Sequence, residues 1–434
     1  MSNKQDKLST DAYKGVRDFF PADMAIEKKI FGIWREVCER YGYEEYGASV
    51  LEPAELYRAK SGEEIVNEQT YTFTDRGDRE VTLRPEMTPT VARMVAARKR
   101  ELVFPLRWYS IPNLFRYEQP QRGRVREHWQ LNVDIFGVES SAAEIEVINM
   151  AYDITRAYGL KDADFEIRLN NRKLMNYLTK DVFGLDDTAA QRASKLIDKK
   201  NKISAEAFEL GISELFKDKP DSAKKFLTLL NSKNFTEFAS NLPQTIEEHL
   251  GLVELKRVIK GLEALGITNV RFDQTLMRGF DYYTGTVFEV FDTNPANRRS
   301  VFGGGRYDDL LALFGNEKVP AFGFGAGDVV ARDLIETYDT LPKDNSSADI
   351  AIIIVGDQNT PYSLDLAQTL REKGMRVLVD ISNKRVGDQI SNANKRGIPK
   401  IVCIGDEEVK TGKMKMKTLA TGEEIAVTED SICA

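Results

Sequence analysis

Cysteine is scarce in this sequence. Three occur in 434 residues, Cys38, Cys403 and Cys433. They are too far apart, and odd in number, for a disulfide framework or a CxxC zinc site. That usage fits a reducing compartment, so a cytoplasmic location is expected. Histidine is scarcer still. His128 and His249 are the only two, which nearly excludes a metal centre or a catalytic triad built on histidine. Long apolar runs are missing as well. The longest, Ile350–Val355, is strand-sized, whereas a membrane span needs about 18 residues or more, so no membrane attachment is expected. The opening MSNKQDKLST is polar and carries no signal-peptide core.

What is present is ordinary for a folded protein. Apolar residues make up 42% and charged residues 30%, a globular rather than a disordered composition. At roughly 100–200 residues per domain the length predicts two to four domains. Net charge is 61 − 68 = −7. An acidic total argues against indiscriminate coating of nucleic acid, yet two basic tracts stand out. Arg116, Arg122, Arg124 and Arg126 face one acid, Glu118, and Lys384, Arg385, Lys395, Arg396 and Lys400 face Asp388. By themselves such tracts read first as solvated faces and only second as polyanion contacts.

Apolar residues at Met24, Ile26, Ile30, Phe31, Trp34 and Val37 predict a helix over 22–41, started by Pro21 and Asp23. A dense β region follows. TYTFT (70–74) and EVTLRPE (80–86) flank one turn, and residues 107–118 and 126–137 flank a polar loop, which predicts two long hairpins. A helix over 141–158 and a strand over 165–170 come next. Residues 172–262 are rich in Lys, Leu, Ala and Glu with helical periodicity, and read as a helical insertion. Strand character returns at 270–274 and 284–291, GGGRYD (303–308) reads as a turn, and AFGFGAG (321–327) as a strand leading into a helix. LPKDNSS (341–347) reads as a linker. The remainder alternates strand and helix and predicts a small α/β domain with a mainly parallel sheet.

Period-two alternation puts Gln130, Asn132 and Asp134 on one face of a strand, Arg116 and Glu118 on one face of its neighbour, and Thr82, Arg84 and Glu86 on one face of another. Such a polar face is either the wet side of a sheet or the floor of a site for a charged ligand. In MRGFDYYTGTVFE (277–289), Arg278 offers a planar charged fork for carboxylate or phosphate, and Tyr282 and Tyr283 offer directional hydroxyls. A structural Arg–Asp pair explains the same run. Three glycines before Arg306 could cradle a phosphate, although no Walker-type loop is present.

Together, and in this order, these segments resemble a class II aminoacyl-tRNA synthetase of the histidyl-tRNA synthetase family. The resemblance covers nearly the whole chain. It rests on KGVRDFFP (14–21), LRPEMT (83–88), the Arg-and-Glu hairpin LFRYEQPQRGRVREHWQLNVDIFG (114–137), MRGFDYYTGTVFE and GGGRYD. It implies an α+β fold: a class II antiparallel-sheet catalytic domain over 1–171 and 263–338, the helical insertion over 172–262, a linker over 339–347 and an anticodon-binding α/β domain over 348–434. It implies activation of L-histidine with ATP, assisted by Mg²⁺, then transfer to the 3′ end of tRNA(His) by a C2 homodimer paired through the first helix and the strand near Glu52–Pro53.

Residue by residue, the resemblance gives Arg116 and Arg278 catalytic roles on the α-phosphate and the reacting carboxylate. It gives Glu118 to the adenine amino group and Arg124 to the outer phosphates. Glu86, Thr88 and Gln130 would take the ammonium group of histidine; Asp134, Tyr282 and Tyr283 would take the imidazole. Arg122, Lys384, Arg385, Lys395 and Arg396 would contact tRNA. No metal ligand is assigned. Two departures stand out. The third class II motif normally ends in an arginine on the γ-phosphate, and here the run is GFGAGDVV (323–330). Arg332 is two residues too far, about 200° round a helix, so Arg306 and Arg124 are expected to compensate. Gln119 stands where many relatives carry an arginine. The rival implied is a histidine-binding regulatory subunit of ATP phosphoribosyltransferase, a relative that typically lacks the anticodon-binding module.

Overall fold

The computed structural model describes residues 8–58, 69–119, 123–200, 203–243, 246–277, 282–295, 297, 300–315, 317–340 and 346–432. The chain divides into two compact units, Met1–Leu341 and Pro342–Ala434.

In the first unit, helix α1 (Pro21–Arg40) opens with proline in its first turn and buries Ile30, Ile33, Trp34, Val37 and Cys38. Spacings of three and four place these on one stripe. Strand β1 (Glu44–Glu45) follows. Strand β2 (Leu51–Pro53), helix α2 (Glu55–Arg58) and strands β3 (Tyr71–Thr74) and β4 (Glu80–Leu83) lead to helix α3 (Thr88–Arg98). β2, β4 and β3 make a small antiparallel sheet. The expected second hairpin forms with a break at Ile111–Pro112: β5 (Leu106–Ser110) and β6 (Asn113–Phe115) both pair antiparallel with the long β7 (Glu127–Phe136).

β7 is central to a nine-stranded sheet. Helix α4 (Ala142–Ala157) follows it, then β8 (Phe165–Asn171), the helices of the insertion ending in α10 (Leu250–Ala264), and β9 (Val270–Phe272), β10 (Thr286–Asp292), β11 (Ser300–Arg306) and β12 (Ala321–Gly327), with α11 (Asp328–Thr337) last. The insertion helices α5 to α9 are Arg172–Tyr177, Asp187–Asp198, Ala205–Leu215, Pro220–Leu230 and Phe235–Ser240. The order is β1-β5-β7-β12-β11-β10-β8-β9, with β6 beside β7. Only the outer pairs β1·β5 and β8·β9 are parallel. Antiparallel pairing lets one face be apolar and the other polar, and this sheet does so. α1, α4 and α10 cover the apolar face through Trp34, Val147, Ile154, Leu255 and Val258, packed on Val133, Ile167 and Phe288.

One expectation changes. Gly303, Gly304 and Gly305 lie within β11 and form no turn. A Cβ on Gly304 would stand 1.9 Å from the Gly323 carbonyl oxygen, so these glycines permit close strand approach. Phe183, Phe208, Phe226 and Phe238 of the insertion belong to the same core as Trp34 and Val133.

The second unit has strands β13 (Ile350–Ile354), β14 (Val377–Asp380) and β15 (Lys400–Ile404), parallel in the order β14-β13-β15 and separated by helices α12 (Thr360–Glu372) and α13 (Val386–Lys395). After helix α14 (Asp406–Thr411), β16 (Met414–Thr418) and β17 (Glu424–Val427) extend it antiparallel. The sheet is therefore mixed and not mainly parallel; MKMKT alternates buried and exposed residues, and its lysines masked the strand. Ile350, Ile352 and Val402 pack on one face and Ala351, Ile353 and Ile401 on the other.

Candidate active site

The polar face of β7 forms the floor of two adjoining cavities. Its glycine-rich neighbour makes room for the side chains. β12 presents Gly327, Gly325 and Gly323 directly opposite Gln130, Asn132 and Asp134. A Cβ on Gly325 would lie 2.4 Å from Gln130 Nε2, and one on Gly323 2.4 Å from Asp134 Oδ1.

The smaller cavity, about 110 Å³, is lined by Glu86, Thr88, Arg116, Gln130, Asn132, Tyr282, Tyr283 and Tyr307, with Gly303, Gly323, Phe324 and Gly325. Glu86 is 2% exposed and accepts from the Tyr282 hydroxyl at 3.0 Å. Burial holds the Tyr282 and Tyr307 hydroxyls well above the ordinary tyrosine range, so both stay protonated. Gln130 Nε2 donates to Asn132 Oδ1 at 2.7 Å. Asp134 lies just beneath the wall. Its Oδ1 accepts from Tyr307, while its buried Oδ2 has no hydrogen-bond partner among the described residues. Burial pushes this carboxyl up to about 7, against the lowering effect of the Tyr307 bond.

The larger cavity, about 340 Å³, is lined by Glu118, Arg124, His128, Glu289, Ser300, Phe302, Val329 and Val330 among others. Arg116, Gln130 and Gly325 line both cavities. Arg116 Nε donates to the Pro85 carbonyl at 2.8 Å, which fixes the fork at the junction. Glu118 ion-pairs with Arg124 at 3.4 Å, and its buried Oε2 lacks a hydrogen-bond donor among the described residues. His128 is held neutral: burial, with Arg116 and Arg17 nearby, lowers its pKa to about 3. A third, open groove of about 1230 Å³ shares Arg124, Glu289 and Ser300 with this cavity and runs past Lys200, Lys233 and Arg271.

Glu86, Thr88, Arg116, Gln130, Tyr282 and Tyr283 thus share one small cavity, and Arg116, Glu118 and Arg124 share the larger. Arg306 belongs to neither. It is 3% exposed, its Nε donates to Glu144 at 2.5 Å, and its terminal nitrogens take Glu144, the Val138 and Ser140 carbonyls and Asp308. The expected reach to outer phosphates fails because every donor is spent inside the fold. Thr82 and Arg84 also leave the floor; Arg84 binds the carbonyls of Ala48 and Asn113. Arg122 and Arg278 lie outside the described residues. Lys384 and Arg385 precede α13, and Lys395 and Arg396 close it; all four are exposed.

Residues 15–327 match the family model for histidyl-tRNA synthetase, and residues 349–434 match that for the anticodon binding domain. The chain belongs to the histidyl-tRNA synthetase family. A histidine–tRNA ligase of Leptospira biflexa is 42% identical over 419 residues, 96% of this chain and 95% of the relative. That of Halobacterium salinarum is 38% identical over 417 residues, 95% of each. The fold is similar to histidyl-tRNA synthetase from Nostoc sp. PCC 7120, with a TM-score of 0.85, 25% identity and 98% of both chains covered. It is also similar to an ATP phosphoribosyltransferase regulatory subunit/histidyl-tRNA synthetase from Bacillus halodurans C, with a TM-score of 0.75, 25% identity, and 89% of this chain and 97% of that one covered.

Three of the cavity residues that sequence reasoning missed carry polar chemistry of their own: His128, Tyr307 and Glu289. His128 continues the face of Gln130, Asn132 and Asp134, so the period of two pointed to it. Tyr307 sits inside the quoted GGGRYD. Glu289 had no signal beyond its strand.

Proposed function

We infer that the chain is a histidine–tRNA ligase, which joins L-histidine to ATP as histidyl-adenylate and passes the histidyl group to the 3′ end of tRNA(His). The observation that carries this reading is the junction of an amino-acid-sized cavity with a nucleotide-sized one at Arg116. Two anions must meet there. The carboxylate of histidine attacks the α-phosphorus, a new O–P bond forms, and the bond to pyrophosphate breaks. Protein catalysis of this step is alignment and charge compensation. Arg116 bridges both reactants, and Arg278, by family resemblance, supplies a second cation.

Glu86, with Thr88 and Gln130, takes the ammonium group. The Tyr307 oxygen, whose O–H donates a hydrogen bond to Asp134, can accept from an imidazole N–H, and Tyr282 and Tyr283 close the other side. Leaving one buried polar group unsatisfied costs about 1–3 kcal/mol, so such a pocket rejects apolar analogues. In the larger cavity, Glu118 accepts from the adenine amino group, neutral His128 borders the nucleotide, and Arg124 faces the outer phosphates.

Mg²⁺ sites on nucleotides use one or two carboxylates plus phosphate oxygens and water. Glu118 and Glu289, the two carboxylates lining the larger cavity, fit that donor set. When bound, the ion would offset the charge of the leaving pyrophosphate. The groove past Lys200, Lys233 and Arg271 suits the acceptor end. The second unit, with Lys384, Arg385, Lys395 and Arg396, suits single-stranded anticodon bases. Among the described residues no helix is long and apolar enough to cross a membrane, and a cytoplasmic homodimer is the proposed working form.

Histidine-dependent exchange of labelled pyrophosphate into ATP, together with charging of tRNA(His), tests the proposal. Both are expected. Well-folded protein that binds histidine without exchange would overturn it in favour of the regulatory-subunit reading.

A further inference from the structure

A buried charge cluster lies at the start of α11, outside both cavities. Asp328 is wholly buried. Its Oδ2 accepts from Arg17 at 2.6 Å and its Oδ1 from the Trp129 backbone N–H at 3.0 Å. Arg17 comes from the segment before α1 and stacks over Phe19 at 4.9 Å, and Phe19 meets the Trp129 ring edge-on at 5.4 Å. Glu27 of α1 is 1% exposed, and neither carboxylate oxygen has a hydrogen-bond partner among the described residues. Asp328 and Asp23 repel its charge; Arg17 and Arg332 attract it. Arg332 is already paired with Asp23 at 2.9 Å and Glu336 at 2.8 Å. Arg17 is therefore paired with one buried carboxylate, Asp328, and attracts the charge of a second, Glu27.

The cluster borders the larger cavity. The β12·β7 ladder ends at Gly327 opposite Gln130, and Asp328 carries the attachment one residue further. Val329 and Val330 follow it and line the cavity, as do His128 and Gln130 on either side of Trp129. An aspartate in a first helical turn suits the helix dipole but repels nearby phosphates unless its charge is met. Arg17 itself is not on the cavity wall.

We propose that Arg17 is a positioning residue for the nucleotide: through Asp328 it clamps the first turn of α11 to the His128–Gln130 stretch of β7 and cancels the carboxylate beside the phosphates. The proposal rests on reading the larger cavity as the ATP site. It assigns a purpose to the N-terminal KGVRDFFP segment, which otherwise touches neither cavity.

Pyrophosphate exchange by the full-length protein, with KM measured separately for ATP and histidine, tests it. Arg17→Gln is expected to raise the ATP KM roughly tenfold, the scale of one charged hydrogen bond, and to change the histidine KM by less than about twofold. Asp328→Asn, which keeps an oxygen for the Trp129 N–H, is expected to act in the same direction. Arg17→Lys is expected to recover most of the loss. The double variant is expected to be no worse than the poorer single one, since neither charge is left unpaired. Equal rises in both KM values, no rise in either, or effects that multiply in the double variant would overturn the proposal. Should Arg17→Gln not fold, Asp328→Asn decides by the same KM split. Wild-type protein without histidine-dependent exchange would sink the ligase reading itself, a separate failure.

Discussion

Without the Arg306 guanidinium, Glu144, 1% exposed, would keep a buried charge and lose its ion-pair partner. Removing one member of a buried pair costs about 3–5 kcal/mol, so urea denaturation of Arg306→Ala should show a loss of that order. Any activity lost would follow stability, with no selective change in ATP dependence. Tyr307→Phe should act differently. It removes the hydroxyl bonded to Asp134, leaving that carboxylate without a hydrogen bond among the described residues and taking away the acceptor offered to the imidazole. A rise of roughly tenfold or more in the histidine KM is expected, with the ATP KM nearly unchanged, in pyrophosphate exchange. Arg306 and Tyr307 are chain neighbours, and the sequence offered both in one motif. Alternation at the end of β11 turns one into the fold and the other into the cavity, which composition and spacing did not reveal.

Strand geometry governs the next set of outcomes. Gly325→Ala would place a methyl group 2.4 Å from Gln130 Nε2. Gln130 would have to leave the wall it shares between the cavities, and both KM values should rise while the melting temperature falls by a few degrees. Helix α1 carries a pH signature. The Glu27 carboxyl, ordinarily near 4.5, is raised to about 7 chiefly by burial. Between those values the folded chain binds more protons than the unfolded one, so this group's contribution is full below about pH 4.5 and is lost as pH rises through about 7. Glu27→Gln should therefore gain on the wild type between about pH 5 and pH 8, by on the order of 1–3 kcal/mol in urea titrations at each pH. His128 slopes the other way, costing stability as pH falls below about 6.5. It is present in both proteins, so their difference isolates Glu27. Period-two faces predicted the floor of Gln130, Asn132 and Asp134 correctly as a set. The same rule placed Arg84 there wrongly, because β4 ends at Leu83 and the chain turns before Arg84.

Across the molecule, the first unit holds both cavities and the second has cores of its own. A chain ending near Asp339 is expected to keep histidine-dependent pyrophosphate exchange. Charging of tRNA(His) should drop by roughly a hundredfold, the usual scale for losing one of two linked contacts. Exchange lost along with charging would mean that the first unit does not work alone. Light scattering of the full chain should give twice the mass of one chain for the proposed homodimer. The LPKDNSS stretch was legible as a break because its composition shifts. The core that the insertion shares with the sheet was not, since helical periodicity tells that a face is buried but not against what.

The sequence by itself determined most of the element types, the alternation that sorts polar side chains onto one face, and the family, because those depend on residues close together in the chain or on motifs in order. Tertiary structure alone decided which charged groups are available. Arg116 and Arg306 are equally cationic on paper. One is held at an open junction by a single carbonyl, and the other is buried with its donors spent. Only the packing of β11, α4 and the loop after β7 separates them, since a charge's worth is set by the solvent and partners around it.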